Sequence, residues 1–269
     1  MARLRLALLG PLCVTLDEQP VVHFGYDKVP ALLAYLAVEA DRPHTRDELA
    51  ALLWPESDDE AARRSLRVAL TKLRQAIGDQ NARPPFLLID RQTIRFNADA
   101  DHTLDIQQFG QLLASVEQHT HPPGTLCSSC AAHLVEAVAL YRGELLEQVR
   151  IRDSVVFEEW VTLVREQLHQ RAVEALSRLM TYQEQQGEHT AAEHVARRLL
   201  ALEPWDEAAY RCLMRLFADR GQRNAALAQY ERCRRILDDE FGAAPAPETT
   251  TLYHHIQAGG LGGPQAPQR

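Results

Sequence analysis

The sequence predicts a mainly α-helical protein with two parts, a small α+β domain and an all-α domain of paired helices. Three observations predict this class. Short segments of alternating apolar residues lie before and after three helical segments in the first hundred residues. Beyond residue 105 nearly every segment has the apolar spacing of a helix, and similar residues recur 34 positions apart. We therefore expect domains at residues 1–100 and 105–257, and a disordered Gly- and Pro-rich tail at residues 258–269.

Composition and charge limit the functions that are open to this chain. Of its 269 residues 46% are hydrophobic, enough for two ordinary cores, and no apolar run is long enough to span a bilayer. The net charge is −8, yet residues 61–95 hold eight basic and only two acidic side chains. A positive window in an acidic chain is typical of a nucleic-acid contact. Five cysteines, an odd number, favour reduced thiols in the cytoplasm over a secreted disulfide framework.

The amino terminus is predicted to form a small antiparallel sheet. Apolar residues alternate over residues 4–8 and again over residues 12–16, with a Gly–Pro break between the two runs. We expect a turn at residues 17–20 and another extended segment at residues 21–24, because the latter is rich in β-branched and aromatic side chains.

Two helices are predicted next. The first, at residues 29–39, is apolar on almost every side, so we expect it to be buried. The second covers residues 46–53 and begins with a capping box, in which Thr45 and Glu48 each satisfy an amide of the first turn.

A third helix and a hairpin complete the first domain. The helix at residues 57–77 is expected to begin with a second capping box, made by Ser57 and Glu60, and to end at Gly78. Together with the helix before it, it forms a helix-turn-helix. A strand–turn–strand pattern at residues 86–96 carries arginines and predicts a wing. The first domain is therefore predicted to be a winged helix-turn-helix domain.

The third helix is apolar on one side and basic on the other, as expected of a helix that lies in the major groove of DNA. The candidate DNA-binding residues on it, on the helix before it and on the hairpin are Arg46, Arg63, Arg64, Arg67, Thr71, Lys72, Arg74, Arg91 and Arg95. Arg64, Arg67 and Thr71 lie one turn apart, where they would read base edges. Lys72 and Arg74 would hold phosphates. Which arginines read bases stays open, and a merely solvated basic face is the competing interpretation.

The second domain is predicted to be a tetratricopeptide-like array of helices. The expected helices cover residues 105–117, 130–141, 154–186, 188–202, 206–220, 222–241 and 248–257, and the third is long enough to be two. Five pairs of similar residues share the 34-residue offset: Gly187 and Gly221, Leu176 and Tyr210, Leu179 and Leu213, Ala192 and Ala226, and Leu202 and Ile236. Stacked helix pairs of this period usually bind proteins and seldom perform chemistry.

A loop between the first two helices of this array carries four metal-ligating side chains, here called the His/Cys cluster: His119, His121, Cys127 and Cys130. Two thiolates with two imidazoles suit zinc, so a structural zinc ion that holds the loop is one interpretation, with His133 as an alternative ligand. A redox pair of cysteines is a second interpretation, although Ser128 and Ser129 between them carry no charge that would lower a thiol pKa. Loop residues without any ligand are the third.

Nearly the whole chain, residues 4–257, resembles the bacterial antibiotic-regulator type of transcriptional activator, the SARP family. The matching motifs in the first domain are residues 8–12 (LLGPL), 28 with 31–36, 47–49 (DEL), 52–55 (LLWP), 61–66 (AARRSL) and 73–74. Those in the second domain are residues 140–146 (LYRGELL), 198–204 (RLLALEP), 213–214, 221, 226–227, 230–231 and 237. Each motif alone is weak, but their order along the chain is specific.

The resemblance implies an OmpR-like winged-helix domain followed by a bacterial transcriptional activation domain. It also implies binding to direct repeats in promoter DNA as a side-by-side homodimer, and recruitment of RNA polymerase through its sigma factor and alpha subunit. The longer family members add an ATPase module, whereas this sequence has no G-x-x-x-x-G-K phosphate loop and resembles the short form.

The leading functional hypothesis is a sequence-specific transcriptional activator that binds double-stranded promoter DNA at the nucleoid, in the cytoplasm. The alternative is a repeat-based adaptor whose winged helix binds protein and does not read DNA. A cysteine-based oxidoreductase is disfavoured because no base or cofactor loop accompanies Cys127 and Cys130. No catalytic constellation is evident, so we expect no enzymatic activity, no required cofactor other than the possible zinc, and no membrane partner.

Overall fold

The computed structural model describes residues 3–122 and 125–259. The strands are β1 (Leu4–Ala7), β2 (Cys13–Leu16), β3 (Gln19–Pro20), β4 (His44–Thr45), β5 (Leu87–Ile89), β6 (Thr93–Phe96) and β7 (His102–Leu104). The helices are α1 (Lys28–Val38), α2 (Arg46–Leu53), α3 (Asp59–Ala76), α4 (Asp105–Gln118), α5 (Ser128–Leu140), α6 (Val155–Gln185), α7 (His189–Leu202), α8 (Glu207–Asp219), α9 (Arg223–Phe241) and α10 (Pro247–Gln257). The protein is therefore mainly α-helical, as predicted.

Contacts within the chain define two compact units. Unit 1 comprises residues 1–115 and 136–170, and unit 2 comprises residues 116–135 and 171–269. The domain limits drawn from the sequence pattern, at residues 100 and 105, stay a prediction. The disorder predicted for the tail falls from residue 260 onward outside the described residues. In the part of the chain that the structure describes, no helix is both long and apolar enough to cross a membrane.

The first sheet of unit 1 has the strand order β3-β2-β1-β7. β1 pairs antiparallel with β2 and parallel with β7. β7 was not predicted from the sequence, since its partner strand β1 lies almost a hundred residues away. The predicted turn at residues 17–20 is also wrong in length: only Asp17 and Glu18 form it, both with positive φ, and β3 begins directly after them. Residues 21–24 were predicted to be extended, but no strand forms there.

The helix-turn-helix forms as predicted, with one correction at a helix start. The capping box of α2 is present, with Thr45 Oγ1 accepting the Glu48 amide at 3.1 Å and Glu48 accepting the Thr45 amide at 2.7 Å. The box predicted for α3 is wrong, because the cap is Asp58, whose carboxylate accepts the Ala61 amide at 2.8 Å. Ser57 lies one residue too early to reach the amides of the first turn.

The second sheet of unit 1 forms the wing and joins it to the helices. β5 and β6 pair antiparallel, as the predicted hairpin requires, and β4 adds a third strand next to β6. Asp79, which is 1% exposed, ties this sheet to the end of α3. Its carboxylate accepts the Leu87 amide of β5 at 3.0 Å and pairs with Arg74 of α3 at 2.8 Å. The wing is thus anchored to the last turn of the basic helix.

Residues beyond 105 also belong to unit 1. The buried Asp105 carboxylate accepts the backbone amides of Leu8 and Leu9 at 2.8 and 2.9 Å and is paired with Arg142 at 3.1 Å. Leu9 forms an isolated β-bridge with Leu145. These contacts hold the chain around residue 145 against the carboxyl end of the first strand.

Unit 2 confirms the repeat predicted from the sequence. Gly187 and Gly221 occupy equivalent turns with φ of 73° and 72°, a left-handed conformation that glycine adopts without strain. The pairs Leu176 and Tyr210, Leu179 and Leu213, and Ala192 and Ala226 are all buried to at least 98%. Equivalent positions therefore fill equivalent places in the core. Residues 155–185 form one continuous helix, α6, where two were possible from the sequence.

Candidate nucleic-acid interface and metal centre

The basic helix α3 presents its charged side to solvent. Its apolar stripe is buried, as the spacing predicted, and comprises Ala62, Leu66, Ala69, Leu70 and Leu73. Six of the nine candidate DNA-binding residues are exposed, namely Arg63, Arg64, Arg67, Thr71, Lys72 and Arg91. The other three are partly buried, namely Arg46, Arg74 and Arg95.

The three partly buried arginines are anchored inside unit 1. Arg46 donates to the carbonyl oxygens of Asp90 and Arg91 at 2.9 and 3.2 Å, and so holds the turn of the wing. Arg95 donates to the carbonyl oxygen of Ala40 at 3.0 Å. Arg74 pairs with the buried Asp79, as described above. Their charges remain near the surface, but their hydrogen bonds are already used by the fold.

Two exposed arginines of α3 have acidic neighbours. Arg63 makes a two-pronged pair with Asp47 of α2, at 2.6 and 2.9 Å, and Arg64 pairs with Glu60 at 3.0 Å. The hydrogen bond from Arg63 is the main cause that holds the pKa of the Asp47 carboxyl below its ordinary value. Exposed pairs of this kind add little net stability because water and salt screen them, so a phosphate can replace the carboxylate.

Arg67 and Arg91 differ from these arginines. Within residues 3–122 and 125–259, neither side chain makes a hydrogen bond or an ion pair. Lys72, further along α3, lies with its ammonium group 4.8 Å from the centre of the Tyr26 ring. Thr71 donates its hydroxyl hydrogen to the carbonyl oxygen of Arg67 at 2.9 Å, which keeps its methyl group and oxygen at the helix surface.

A cleft of about 440 Å³ lies between the start of α2, the outer side of α3 and the turn of the wing. It is lined by Thr45, Arg46, Asp47, Arg63, Leu66, Arg67, Arg91 and Gln92. The structure thus gathers four of the nine candidates around one concave surface, here called the basic cleft. Arg64, Thr71, Lys72, Arg74 and Arg95 lie outside it. Asp47 and Gln92 also line the cleft but were not predicted as site residues. Of the two, only Gln92 could have been suspected from the sequence, because it follows Arg91 in the wing turn.

The turn of the wing is shaped by Asp90. Its carboxylate accepts the backbone amides of Gln92 and Thr93 at 2.7 and 2.6 Å, and the Thr93 hydroxyl at 2.8 Å. The pKa of Asp90 is lowered from its ordinary value, mainly by the hydrogen bond from the Thr93 amide. This turn, held also by Arg46, places Arg91 at the rim of the basic cleft.

The His/Cys cluster comes together in unit 2. One ligand atom from each of its four residues lies within 4.8 Å of the others. His119 Nδ1 lies 3.1 Å from Cys130 Sγ and 3.4 Å from Cys127 Sγ, and the two histidine rings are 4.4 Å apart. His133, the alternative ligand, does not belong to this group. The sequence spacing identified the same four residues because a short loop brings them back to the start of α5.

Electrostatics distinguishes the two thiols of the cluster. The pKa of Cys127 is lowered to about 6, first by a hydrogen bond with the His121 ring and then by the Cys130 amide. Burial raises the pKa of Cys130. Ser128 and Ser129, the residues weighed in the sequence, are not the groups that lower the pKa of Cys127. Those groups are the ring of His121, six residues earlier, and the backbone amide of Cys130 in the first turn of α5.

Comparisons with known families agree with this architecture. Residues 104–257 match the family model of the bacterial transcriptional activator domain. Residues 27–93 match a second model, described as the C-terminal part of transcriptional regulatory proteins. The second model covers the helix-turn-helix and reaches into the wing.

Several curated regulators are similar over almost all of this chain. It is 27% identical over 256 residues to the transcriptional regulatory protein EmbR of Mycobacterium tuberculosis, an alignment that covers 94% of this chain and 63% of EmbR. It is 26% identical over 261 residues to MoaR1 of the same organism, covering 93% and 78% of the two chains. It is 28% identical over 253 residues to the regulatory protein AfsR of Streptomyces coelicolor, covering 94% and 24%.

A solved structure is also similar in fold. It is Mycobacterium tuberculosis EmbR in complex with a low-affinity phosphopeptide, with a TM-score of 0.67 and 25% identity. The alignment covers 96% of this chain and 66% of that one, so this chain spans less than two thirds of the length of EmbR. Because the activator-domain model covers more than half of its residues, behind an OmpR-like domain, the chain belongs to the bacterial transcriptional activator domain family, in its SARP-type arrangement.

Proposed function

We propose that this chain is a sequence-specific activator that binds promoter DNA through the basic cleft and the outer side of α3. The observation that carries the proposal is the basic cleft itself. It joins the start of α2, the middle of α3 and the tip of the wing, and it contains two arginines, Arg67 and Arg91, whose donors are not used within the described residues. A basic helix beside a wing suits a major groove and its adjacent phosphates.

Arg67 is the residue that we assign to base reading. It lies at the centre of the exposed side of α3, and a guanidinium group can bind O6 and N7 of guanine together, which contributes about 1–3 kcal/mol of discrimination. Val68 beside it is 47% exposed and would contact a thymine methyl group. Thr71, one turn later, completes this row.

Phosphate contacts would set the position of α3 in the groove. Arg63, Arg64 and Lys72 are exposed on either side of the base-reading row, and Arg91 reaches out from the wing. In the free protein Arg63 forms an ion pair with Asp47, and Arg64 forms one with Glu60. Such pairs are weak in water, so the phosphate backbone can take the place of the carboxylates and release its counterions.

The protein partners that we propose are based on the family resemblance and not on the geometry of the basic cleft. A side-by-side homodimer on direct repeats and recruitment of RNA polymerase, through its sigma factor and alpha subunit, are the partners that we propose on the SARP-type resemblance. The repeats of unit 2, with matched helix pairs, are the kind of scaffold that binds other proteins. An activator of this kind would act on the nucleoid in the cytoplasm.

The proposal is tested with the full chain and genomic DNA of the source organism. We expect selection of bound fragments to enrich a short direct repeat, and binding to that repeat to weaken steeply as salt rises, by a log–log slope of about −0.9 per phosphate contacted. A half-site alone should bind less tightly than the repeat. In vitro transcription from the enriched fragment should then increase when the chain is added.

The same experiment separates the adaptor alternative. A repeat-based adaptor whose winged helix binds protein predicts no enrichment of any fragment over the input DNA. Residual binding that is equal for all sequences and vanishes with salt would also contradict base reading by α3. Either result would overturn the proposed function.

A further inference from the structure

We propose that the His/Cys cluster of unit 2 is a structural zinc site with four protein ligands. The site lies where the loop after α4 returns to the first turn of α5. The cluster belongs to unit 2, whereas the basic cleft belongs to unit 1. Three observations point to zinc: the distances between the ligand atoms, the chemistry of the four donors, and a buried nitrogen without a hydrogen-bond partner among the described residues.

The donor atoms lie close to the separations that a tetrahedral zinc ion requires. With zinc–sulfur bonds of about 2.3 Å and zinc–nitrogen bonds of about 2.0 Å, ligand atoms lie about 3.3–3.8 Å apart. His119 Nδ1 is 3.1 Å from one cysteine sulfur and 3.4 Å from the other, and every pair of ligand atoms is within 4.8 Å. Small side-chain rotations would therefore complete the coordination.

The chemistry of the donors favours zinc over other metals. Two cysteine sulfurs with two histidine nitrogens form the soft tetrahedral set that zinc occupies in structural sites. The hard oxygen ligands that magnesium and calcium need are absent from the cluster. Since all four positions come from the protein, no position is left open for a substrate, as is typical of a structural rather than a catalytic site.

One polar atom of the cluster is buried without a hydrogen-bond partner among the described residues. His121 Nε2 is buried and has no hydrogen-bond partner in the structure. Cys130 is 2% exposed, and its sulfur lies 3.1 Å from His119 Nδ1 and within 4.8 Å of the other ligand atoms of the cluster. Buried donors and acceptors are normally paired, so such a group beside two sulfurs indicates that a ligand belongs there.

The position of the cysteines explains what the metal would hold. Cys127 directly precedes α5, and its sulfur accepts the Cys130 amide at 3.5 Å, as an N-cap side chain does. Because the histidines come just after α4, a shared ion would join the end of one helix to the start of the next. It would also shape the adjoining cavity of about 670 Å³, which His119 and His121 line together with Arg178 and Tyr182 of α6.

The test is the metal content of the full chain, purified under reducing conditions from cells grown with zinc. We expect an equimolar amount of zinc by plasma mass spectrometry. The Cys127→Ser variant should lose it to the level of the buffer, and His121→Gln should lose most of it. The matched control is Cys13→Ser, an exposed cysteine on β2 of unit 1, which should keep its zinc.

A second measurement keeps the test valid if a variant does not fold. Cobalt added to the metal-free wild-type chain should give the intense visible bands of tetrahedral coordination and the charge-transfer band of thiolate ligands. Addition of a chelator should lower the melting temperature of the wild-type chain and leave that of Cys127→Ser unchanged.

Three outcomes would overturn the proposal. They are wild-type protein without stoichiometric zinc, an octahedral cobalt spectrum without thiolate bands, and a melting temperature that is insensitive to chelator. Metal-free protein in which mild oxidant forms a Cys127–Cys130 disulfide would establish the redox interpretation in its place.

Discussion

The middle of the basic helix and its carboxyl end use arginine in opposite ways. Around its middle, Arg67 and the wing residue Arg91 face the basic cleft with donors that the described residues leave unused. At its carboxyl end, Arg74 is held by the buried Asp79, and nearby Arg95 donates to a backbone carbonyl. In the sequence all four were candidate DNA contacts, Arg67 and Arg74 on the basic helix and Arg91 and Arg95 on the hairpin. The difference teaches that an arginine on a basic, solvent-facing helix can be used to hold the fold instead of remaining free for a ligand.

The largest expected effect is a loss of stability when the carboxyl end of α3 is no longer anchored. Asp79→Ala removes a buried carboxylate, so the Leu87 amide loses its partner and Arg74 loses its ion pair. We expect the free energy of unfolding to fall by about 2–4 kcal/mol. Urea unfolding followed by circular dichroism measures this, with the exposed Asp58→Asn as a control that preserves a cap. A change below about 0.5 kcal/mol would contradict the anchoring role of Asp79.

The second expected effect is a loss of DNA affinity when Arg67, on the exposed side of α3, is replaced. Arg67→Ala should weaken binding to the selected promoter repeat by about 1–3 kcal/mol, a factor of roughly 5 to 150, and should relax the preference at one base pair. Stability should not change, because the Arg67 side chain makes no hydrogen bond or ion pair with the residues that the structure describes. Fluorescence anisotropy and urea unfolding measure the two quantities. Arg5→Ala, an exposed arginine on β1, is the matched control and should bind as the wild type does.

The combination of the two readouts sharpens the comparison. If Arg67→Ala binds DNA normally, base reading belongs elsewhere on the helix. If it loses stability instead, Arg67 holds the fold as Arg74 does, and the distinction between the middle of the helix and its carboxyl end fails.

The smallest expected effect comes from the acidic neighbour of the cleft. Asp47→Ala releases Arg63, whose charge then serves a phosphate without competition. We expect slightly tighter DNA binding, a steeper dependence on salt, and no measurable loss of stability. A salt titration by anisotropy detects this change. Weaker binding would mean that Asp47 positions Arg63 for DNA instead of competing for it.

Local features of the fold were readable from the sequence. The limits of the helices were predicted to within two residues, and the Thr45 cap of α2 and the repeat of unit 2 were predicted as well. These features depend on residues a few positions apart or on a period that recurs. The cap of α3 shows how precise such a prediction is. Four polar residues in a row could each have been the N-cap, and backbone geometry selected Asp58 over Ser57. β7 was beyond reach, because three residues with a partner far along the chain carry no local pattern.

The candidate sites, too, were predictable only where they depend on residues close together in the sequence. The four residues of the His/Cys cluster could be grouped from spacing, since all lie within one loop and the turn that follows it. The basic face of α3 could be recognised from its periodicity and charge. The separation of anchored from free arginines could not, because the partners of Arg46, Arg74 and Arg95 are a buried acid and carbonyl oxygens on other elements.

The sequence by itself determined which segments are helices, which side of α3 faces solvent, where positive charge concentrates and how unit 2 repeats. These properties follow from contacts between near neighbours and from the burial of apolar side chains. Only the tertiary structure decided which arginines remain available to DNA, and that residues 136–170 belong to the same compact unit as the winged helix. The reason is physical: hydrogen bonds such as those of Arg46 to the wing join residues more than forty positions apart.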